Sequence, residues 1–353
     1  MDLSDPIADV KGITQAELTD RLVRNSFIRS GWVISVEKGD SFETSAAKWD
    51  RLTVAFSDDY DGDVSNALVL KVFRKGWFGG GVLEWEFYNE LAPKTPGTHV
   101  CPVYDGGIDH TNKICHLIMA DLSGTHTEPP MNAKDRPHEQ VVAELLKYHV
   151  RWWNDPRLET RTFYVRHGGP LRMAQAIAKE DIYVNCRAFE PALRDFSKDA
   201  GDELLPSWIE TTERVIAKYP EVFHARVSGG QNITLLHGDA HVWNLFYPKN
   251  AATDRLILFD WETYKRGIGA YDLAYMLVHG TSGRRQIESG LMNQYYQGLI
   301  AGGISSYSHD EFIRDFRLSI ISCVFCPLIW KRVISMKFAM EAYEDWGCEE
   351  LLK

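Results

Sequence analysis

Residues 233–247 read ITLLHGDAHVWNLFY. Ile233 to Leu236 form an apolar run rich in strand-favouring residues, and the glycine at 238 interrupts it, so the run reads as a short buried strand. At its end stand His237, Asp239 and His241, with Asn244 five positions after the aspartate. Apolar character then resumes at Leu245. A core does not accept an acid, an amide and two imidazoles without partners, so this strand end is predicted to deliver side chains to a site. Downstream, RLILFDWE (255–262) repeats the pattern, with a strand over 255–259 running into Asp260. Two strand ends that each deliver an oxygen ligand, joined by a short loop, predict a small hairpin whose tip faces a cleft.

An amide and a carboxylate are hard oxygen donors. They suit Mg²⁺, which takes one or two protein carboxylates and completes its shell with phosphate oxygens and water. Asn244 and Asp260 are therefore the candidate metal ligands. Asp239 is left to orient or deprotonate a hydroxyl, as the loop aspartate does in phosphoryl transfer by protein kinases. Such chemistry also needs a cation on the nucleotide phosphates. Lys71, in ALVLKVF (67–73), lies within an apolar strand, and Glu84 thirteen residues later is a possible partner. Taken alone, Lys71 reads as an outward-facing residue on an alternating strand. The downstream loop favours the phosphate reading instead.

Along the chain, 13–25 reads as a helix, with Thr14 and Glu17 in capping-box spacing. Residues 32–38, 50–56, 66–73, 100–109 and 113–122 read as strands. Residues 79–93 read as a helix that starts after a glycine run. Residues 30–121 thus predict a mostly antiparallel sheet with one inserted helix. After Asp121 the texture becomes helical, over 138–154, 205–223, 270–299 and 310–345. The fold class expected is α+β, with a small β-rich N-lobe (1–121) that binds nucleotide and a larger, mostly helical C-lobe (122–353) that carries the catalytic loop and the acceptor helices.

Several rival chemistries fit less well. SDDYDGDVS (57–65) resembles a calcium loop, but the twelfth place falls on Leu68 instead of a bidentate glutamate, so a hairpin connection is expected. His237 and His241 are spaced like zinc ligands on a helix, yet the segment reads as strand and loop, and no third ligand is evident. A metal-dependent hydrolase using His237, Asp239 and His241 remains the alternative reading, beside a non-catalytic kinase-like nucleotide-binding protein. Cys323 and Cys326 form a lone C-x-x-C that reads as two buried cysteines on an apolar helix. The formal net charge of −10 argues against nucleic acid and against anionic membranes as partners. No apolar run approaches the ~20 residues needed to span a bilayer. The acidic N-terminus has no secretory apolar segment, and six cysteines in no disulfide framework suit the reducing cytoplasm. Nothing calls for an obligate protein partner.

Together, LLHGDAHVWNLFY, ILFDWE and GIGAYDLAYML resemble the aminoglycoside phosphotransferase and choline kinase-like superfamily, nearest to its ecdysteroid kinase-like branch. The resemblance extends over residues 30–300 and is sharpest over 235–275. It implies a bilobal protein-kinase-like fold, use of ATP with Mg²⁺, and phosphorylation of a hydroxyl on a small molecule. Carried over position by position, it implies Asp239 as catalytic base and Asn244 and Asp260 as Mg²⁺ ligands. His237 would be a bracket for the loop, and Asp272 its tether. VLEWEFYNEL resembles the family segment that supplies the lysine's partner, which selects Glu84 over Glu86 and Glu90. HLIMADLSG resembles the segment linking the lobes, so the backbone of Ile118 to Asp121, Met119 included, would read adenine. The nucleotide loop, EKGDSFETSAAKW, lacks G-x-G-x-x-G; Thr44 and Ser45 would supply hydroxyl and N–H donors in its place, which leaves GTP open beside ATP.

The acceptor is not legible. Trp152, Trp153, Trp208, Trp261, Trp330 and Trp346 belong to the second half and could hold a quaternary ammonium, or stack on a sugar or steroid face. Glu262, two residues beyond Asp260, is a possible acceptor contact, with a loop salt bridge to Lys265 or Arg266 as its plainer reading. A protein acceptor is disfavoured, since D-F-G and A-P-E are both missing.

Overall fold

The computed structural model describes residues 5–127, 138–158, 179–252, 255–281 and 283–353. In chain order the elements begin with α1 (Gln15–Arg24), β1 (Ile28–Ser30), β2 (Val33–Glu43), β3 (Ala47–Phe56), β4 (Asp61–Gly62) and β5 (Ala67–Phe73). There follow α2 (Phe78–Glu86), β6 (Val103–Asp109), β7 (Ile114–Ala120), β8 (His126–Thr127), α3 (His138–Arg151), α4 (Lys179–Arg187), α5 (Phe189–Ala200) and α6 (Pro206–Val227). Next come β9 (Thr234–Leu236), β10 (Leu245–Pro248), β11 (Ile257–Leu258), β12 (Lys265–Gly267), α7 (Ala270–Gly280) and α8 (Arg284–Ala301). The chain closes with α9 (His309–Cys323), α10 (Cys326–Trp330) and α11 (Val333–Asp345). The architecture is α+β, with strands concentrated before residue 128 and helices after it. No helix among the described residues is long and apolar enough to cross a membrane.

The chain forms two compact units. One comprises Met1–Glu128 with Phe246–Thr263, the other Pro129–Leu245 with Tyr264–Lys353. The segment carrying Asp260 therefore goes with the strands. In the first unit, five strands form an antiparallel sheet in the order β2-β3-β5-β7-β6. Its central strand β5 is covered on both faces. Leu68 and Leu70 pack into a core with Leu18 and Leu22 of α1 and with Leu52, Val54 and Ile118 of the sheet. Lys71 and Phe73, at alternate positions, point to the opposite face, where α2 lies. This excludes the outward-facing alternative for Lys71: alternation exposes a strand's polar residues only if one face is solvated, and here neither is.

Two features of this unit depart from the sequence reading in detail, and a third follows it. Thr14 caps α1 by accepting from Glu17 N at 3.2 Å. Glu17 does not complete the box; its carboxylate meets Arg21, whose guanidinium also reaches the buried Asp105 at 2.8 Å. The glycines of 79–81 lie inside α2 instead of preceding it. A Cβ on Gly81 would sit 2.6 Å from Phe73 and 2.9 Å from Cys115 Sγ. Glycine costs a helix up to about 1 kcal/mol, and here it lets the helix axis approach the sheet. Finally, the acids of 57–65 connect β3 to β5 as expected, and Arg29 of β1 neutralises Asp61 and Asp63 at 2.6 Å each.

In the second unit, α7 is buried along nearly its whole length and packs on α9 and α11. The span 270–299 divides into α7 and α8; Thr281 after α7 is extended and Gly283 before α8 adopts φ 75°. The span 310–345 divides into α9, α10 and α11, with Cys323 closing α9 and Cys326 opening α10. Both cysteines are buried, as are all six of the chain, and none is in a disulfide. The expected hairpin also needs correction. The strand ahead of Asp239, β9, pairs with β12, with Leu236 opposite Lys265. The strand ahead of Asp260, β11, neighbours β10, which in turn pairs with β8. Pairing is set by non-local packing, which a local apolar pattern does not record.

Candidate active site

In the first unit, Lys71 Nζ lies 2.5 Å from Glu84 Oε2 and 2.9 Å from Asp260 Oδ1. Its side chain is 1% exposed, and the rings of Trp49, Phe73 and Phe259 stand 4.6 to 5.4 Å from the ammonium. Burial works to discharge the amine, but Asp260, Glu84 and Glu262 together outweigh it and hold Lys71 charged. Burial raises Glu84, and the charge of Asp260 adds to that, against the pull of Lys71. One lysine thus faces three carboxyl groups. Carboxylate oxygens of Glu84, Asp260 and Glu262 all lie within 4.8 Å of one another. Asp260 is the accessible member, 27% exposed. It sits at φ 66°, a left-handed conformation that aspartate tolerates better than most residues and that turns the chain sharply after β11.

The remaining nucleotide candidates lie elsewhere on the same unit. Thr44 and Ser45 occupy the exposed turn between β2 and β3, where Thr44 Oγ1 accepts from Ala46 N and Ala47 N. Met119 is buried near the end of β7. Asp121 follows it, accepts from Ser123 N at 2.8 Å and bridges Arg51 at 3.1 Å. The N–H groups of Ala120 and Asp121 donate to Pro102 O and Ala67 O. Glu262 is buried with Cβ facing Gly80 of α2, where a glycine Cβ would stand 3.3 Å away. It therefore lies in the lysine's acidic surround.

In the second unit, the loop after β9 is built on Asp272 of α7. This fully buried carboxylate accepts from His237 N at 2.7 Å and Gly238 N at 2.9 Å. His149 Nε2 lies 3.2 Å from it, and His149 Nδ1 contacts Tyr295 Oη at 2.6 Å. Gly238 has φ 86°, which a side chain would oppose. Asp239 N donates to His237 Nδ1 at 3.3 Å. Asn244 Nδ2 donates to Asp239 Oδ2 at 2.9 Å and to Asp239 O at 3.0 Å. Tyr275 of α7 donates to Asp239 Oδ1. His241 Nε2 stands 3.5 Å from Asp239 Oδ2. Burial alone would raise the Asp239 carboxyl, but His241, Tyr275 and His237 overcome it and hold the group well below the usual carboxylate range.

These geometries bear on the candidate metals. The Asn244 amide spends its N–H donors on Asp239, which leaves its oxygen for a ligand. Asp260 spends Oδ1 on Lys71. A hard oxygen donor is therefore available at each position, as Mg²⁺ requires. Zinc fits poorly. His237 Nδ1 and His241 Nδ1 accept main-chain N–H groups, and among the described residues the three-ligand acid, histidine or cysteine set is Glu84, Asp260 and Glu262.

Sequence reasoning missed Tyr275, His149 and Trp49. Only Tyr275 had a signal: it lies three residues beyond Asp272, on the same helix face. Of the tryptophans, Trp152 and Trp261 are fully buried, Trp261 stacking on Phe87 at 3.7 Å. Trp330 packs edge-on against His279 and Tyr275 at 4.9 and 6.2 Å. Trp243, in the loop itself, is 52% exposed.

The fold is protein-kinase-like. Residues 43–305 match the phosphotransferase enzyme family, and the chain belongs to it. It is a phosphotransferase with an alcohol group as acceptor. Among solved structures it resembles choline kinase from Cryptosporidium parvum Iowa II, at 10% identity and a TM-score of 0.52, over 98% of this chain and 92% of that one. It also resembles Plasmodium vivax ethanolamine kinase, at 12% identity and a TM-score of 0.51, over 89% and 82%. A thermostable mutant of the aminoglycoside phosphotransferase APH(4)-Ia matches at 13% identity and a TM-score of 0.47, over 89% and 94%. No curated protein matches the chain.

Proposed function

We propose that the chain transfers the γ-phosphoryl group of ATP to a hydroxyl of a small metabolite or antibiotic. Lys71 holds the nucleotide phosphates, with Glu84 positioning it. Asn244 and Asp260 hold Mg²⁺, which when bound neutralises phosphate charge. Asp239 orients the acceptor hydroxyl. The acceptor oxygen bonds to the γ-phosphorus as the bond to the β–γ bridging oxygen breaks, and the hydroxyl proton leaves through Asp239 to solvent. Residues 1–121 serve the nucleotide, with Met119 and Asp121 at the base and Thr44 and Ser45 at the phosphates; residues 122–353 carry the catalytic loop and the acceptor-binding helices. GTP can replace ATP in this scheme. The enzyme works in the reducing cytoplasm, which its free cysteines suit.

The observation that carries this reading is Lys71. A lysine buried in an apolar strand is costly, and this one is paired both to an acid on α2 and to the acid that the family motif assigns to the metal. A release assay for the nucleoside diphosphate tests it. The panel is amino alcohols, aminoglycosides, nucleosides and sterols, with Asp239→Asn as the blank. At least one acceptor should raise Asp239-dependent release. Mg²⁺-dependent nucleotide binding with no turnover on any acceptor would favour a non-catalytic binding protein instead.

A further inference from the structure

One helix governs the catalytic loop at two points. Asp272 and Tyr275 of α7 are three residues apart, so both face the loop. Asp272 holds the main-chain N–H groups of His237 and Gly238. Tyr275 reaches one turn further and donates its hydroxyl to Asp239 Oδ1. The opposite oxygen, Oδ2, takes Asn244 Nδ2 at 2.9 Å and faces His241 Nε2 at 3.5 Å.

The phenol is itself fixed. Its ring stands 5.3 Å from His279 and 6.2 Å from Trp330, both edge-on, and 6.4 Å from the stacked His241 ring. It is 1% exposed, so water does not compete for its hydroxyl. Each carboxylate oxygen has two lone-pair sites. With Oδ2 facing two donors and Oδ1 facing one, the acceptance site left on Asp239 is the second lone pair of Oδ1.

We infer that Tyr275 is a positioning residue for phosphoryl transfer: its hydroxyl fixes the Asp239 side chain and leaves one lone pair of Oδ1 as the place where the acceptor hydroxyl docks. The inference rests on the kinase reading above and adds to it a residue that the family motifs do not supply. It also describes how Asp239 works. A carboxylate held by several donors is a weak base, so its contribution is alignment of the nucleophile more than removal of its proton. The titratable groups around it are His237 and His241 of the loop, Tyr271, Tyr275 and His279 of α7, and Cys326 of α10.

The test is Tyr275→Phe, which keeps the ring against His279 and Trp330. Release of ADP from ATP is followed with the best acceptor found, or with water as acceptor, beside wild type and Asp239→Asn. The inference predicts kcat lower by about tenfold or more, the size of one lost aligning hydrogen bond. It predicts a KM for ATP within about twofold of wild type. Unchanged kcat would overturn it. So would a rise in kcat, which would mean that the phenol competes with the acceptor. A second measurement does not depend on turnover: proton NMR of the wild type should show an exchange-protected tyrosine hydroxyl far downfield that is lost in Tyr275→Phe and displaced in Asp239→Asn. If ADP release proves independent of Asp239, the kinase reading fails, while the presence or absence of this proton still decides the pairing. Absence of the proton overturns the inference.

Discussion

The two acids expected to meet the reacting groups, Asp260 and Asp239, are held in opposite ways. Asp260 shares a buried lysine with Glu84, and the cluster carries more acid than base. Asp239 is held by an amide, a phenol and an imidazole, in a loop tethered through main-chain N–H groups. The first arrangement is bound by charge, and bringing in a cation or a polyanionic ligand changes its balance. The second is bound mostly by neutral donors in fixed positions, and reacts little to such changes.

Removing the lysine should break the contrast most severely. In Lys71→Met, Glu84 loses the cation that opposes the rise from burial, so it takes up a proton and leaves a buried polar group without its partner, at a cost of about 1–3 kcal/mol, together with loss of nucleotide affinity. Adding Glu84→Gln should restore part of the melting temperature and none of the activity, as read by calorimetry and nucleotide titration. Gly81→Ala presses on the same pair indirectly. Its Cβ would meet Phe73 at 2.6 Å, so α2 must back away, at a cost of about 1–3 kcal/mol in urea unfolding and a raised KM for nucleotide.

On the other side of the comparison, Asp272→Asn replaces one acceptor oxygen with donors that face the His237 and Gly238 N–H groups. A loss of about 1–3 kcal/mol is expected, with a fall in kcat larger than any change in nucleotide binding. The pH dependence is gentler. Burial lowers the His279 imidazole to about 4, against the opposing pull of the Cys323 carbonyl, whereas unfolded histidine titrates near ~6.5. The folded state thus binds fewer protons in that window. Stability is full above about 6.5 and falls as pH drops toward 4, by at most about 3 kcal/mol from this group. Urea midpoints should show that slope flattened in His279→Phe. Least of all, Arg29→Ala removes an exposed ion-pair cluster with Asp61 and Asp63 and should leave the melting temperature unchanged within error.

Much of this was legible in residues 233–275, because the loop chemistry lies in short, polar stretches set against apolar strands. Asp239, Asn244 and Asp260 stand out there, whereas the role of Asp272 and the choice of Glu84 over Glu86 and Glu90 came from the family resemblance. The direction in which Lys71 faces was not legible, since period-two alternation is the same in a strand covered on one side or on two. Tyr275 was hidden for a related reason: in a helix buried all round, an apolar-looking tyrosine does not announce a polar partner. The glycine run that opens α2 read as lying ahead of the helix because glycine disfavours helices; for Gly80 and Gly81 the close approach to Glu262 and Phe73 explains the residue type. The pairing of β9 with β12 joins residues some thirty apart, beyond the reach of a local pattern.

The account turns on Asp239 acting in the chemical step and not in holding the nucleotide. Asp239→Asn should therefore be measured for both properties on one preparation: MgATP affinity by calorimetric titration, and ADP release at saturating ATP and acceptor. The account predicts affinity within about threefold of wild type and turnover lower by about 10³-fold or more. Turnover within a few-fold of wild type, with the same affinity, would contradict it.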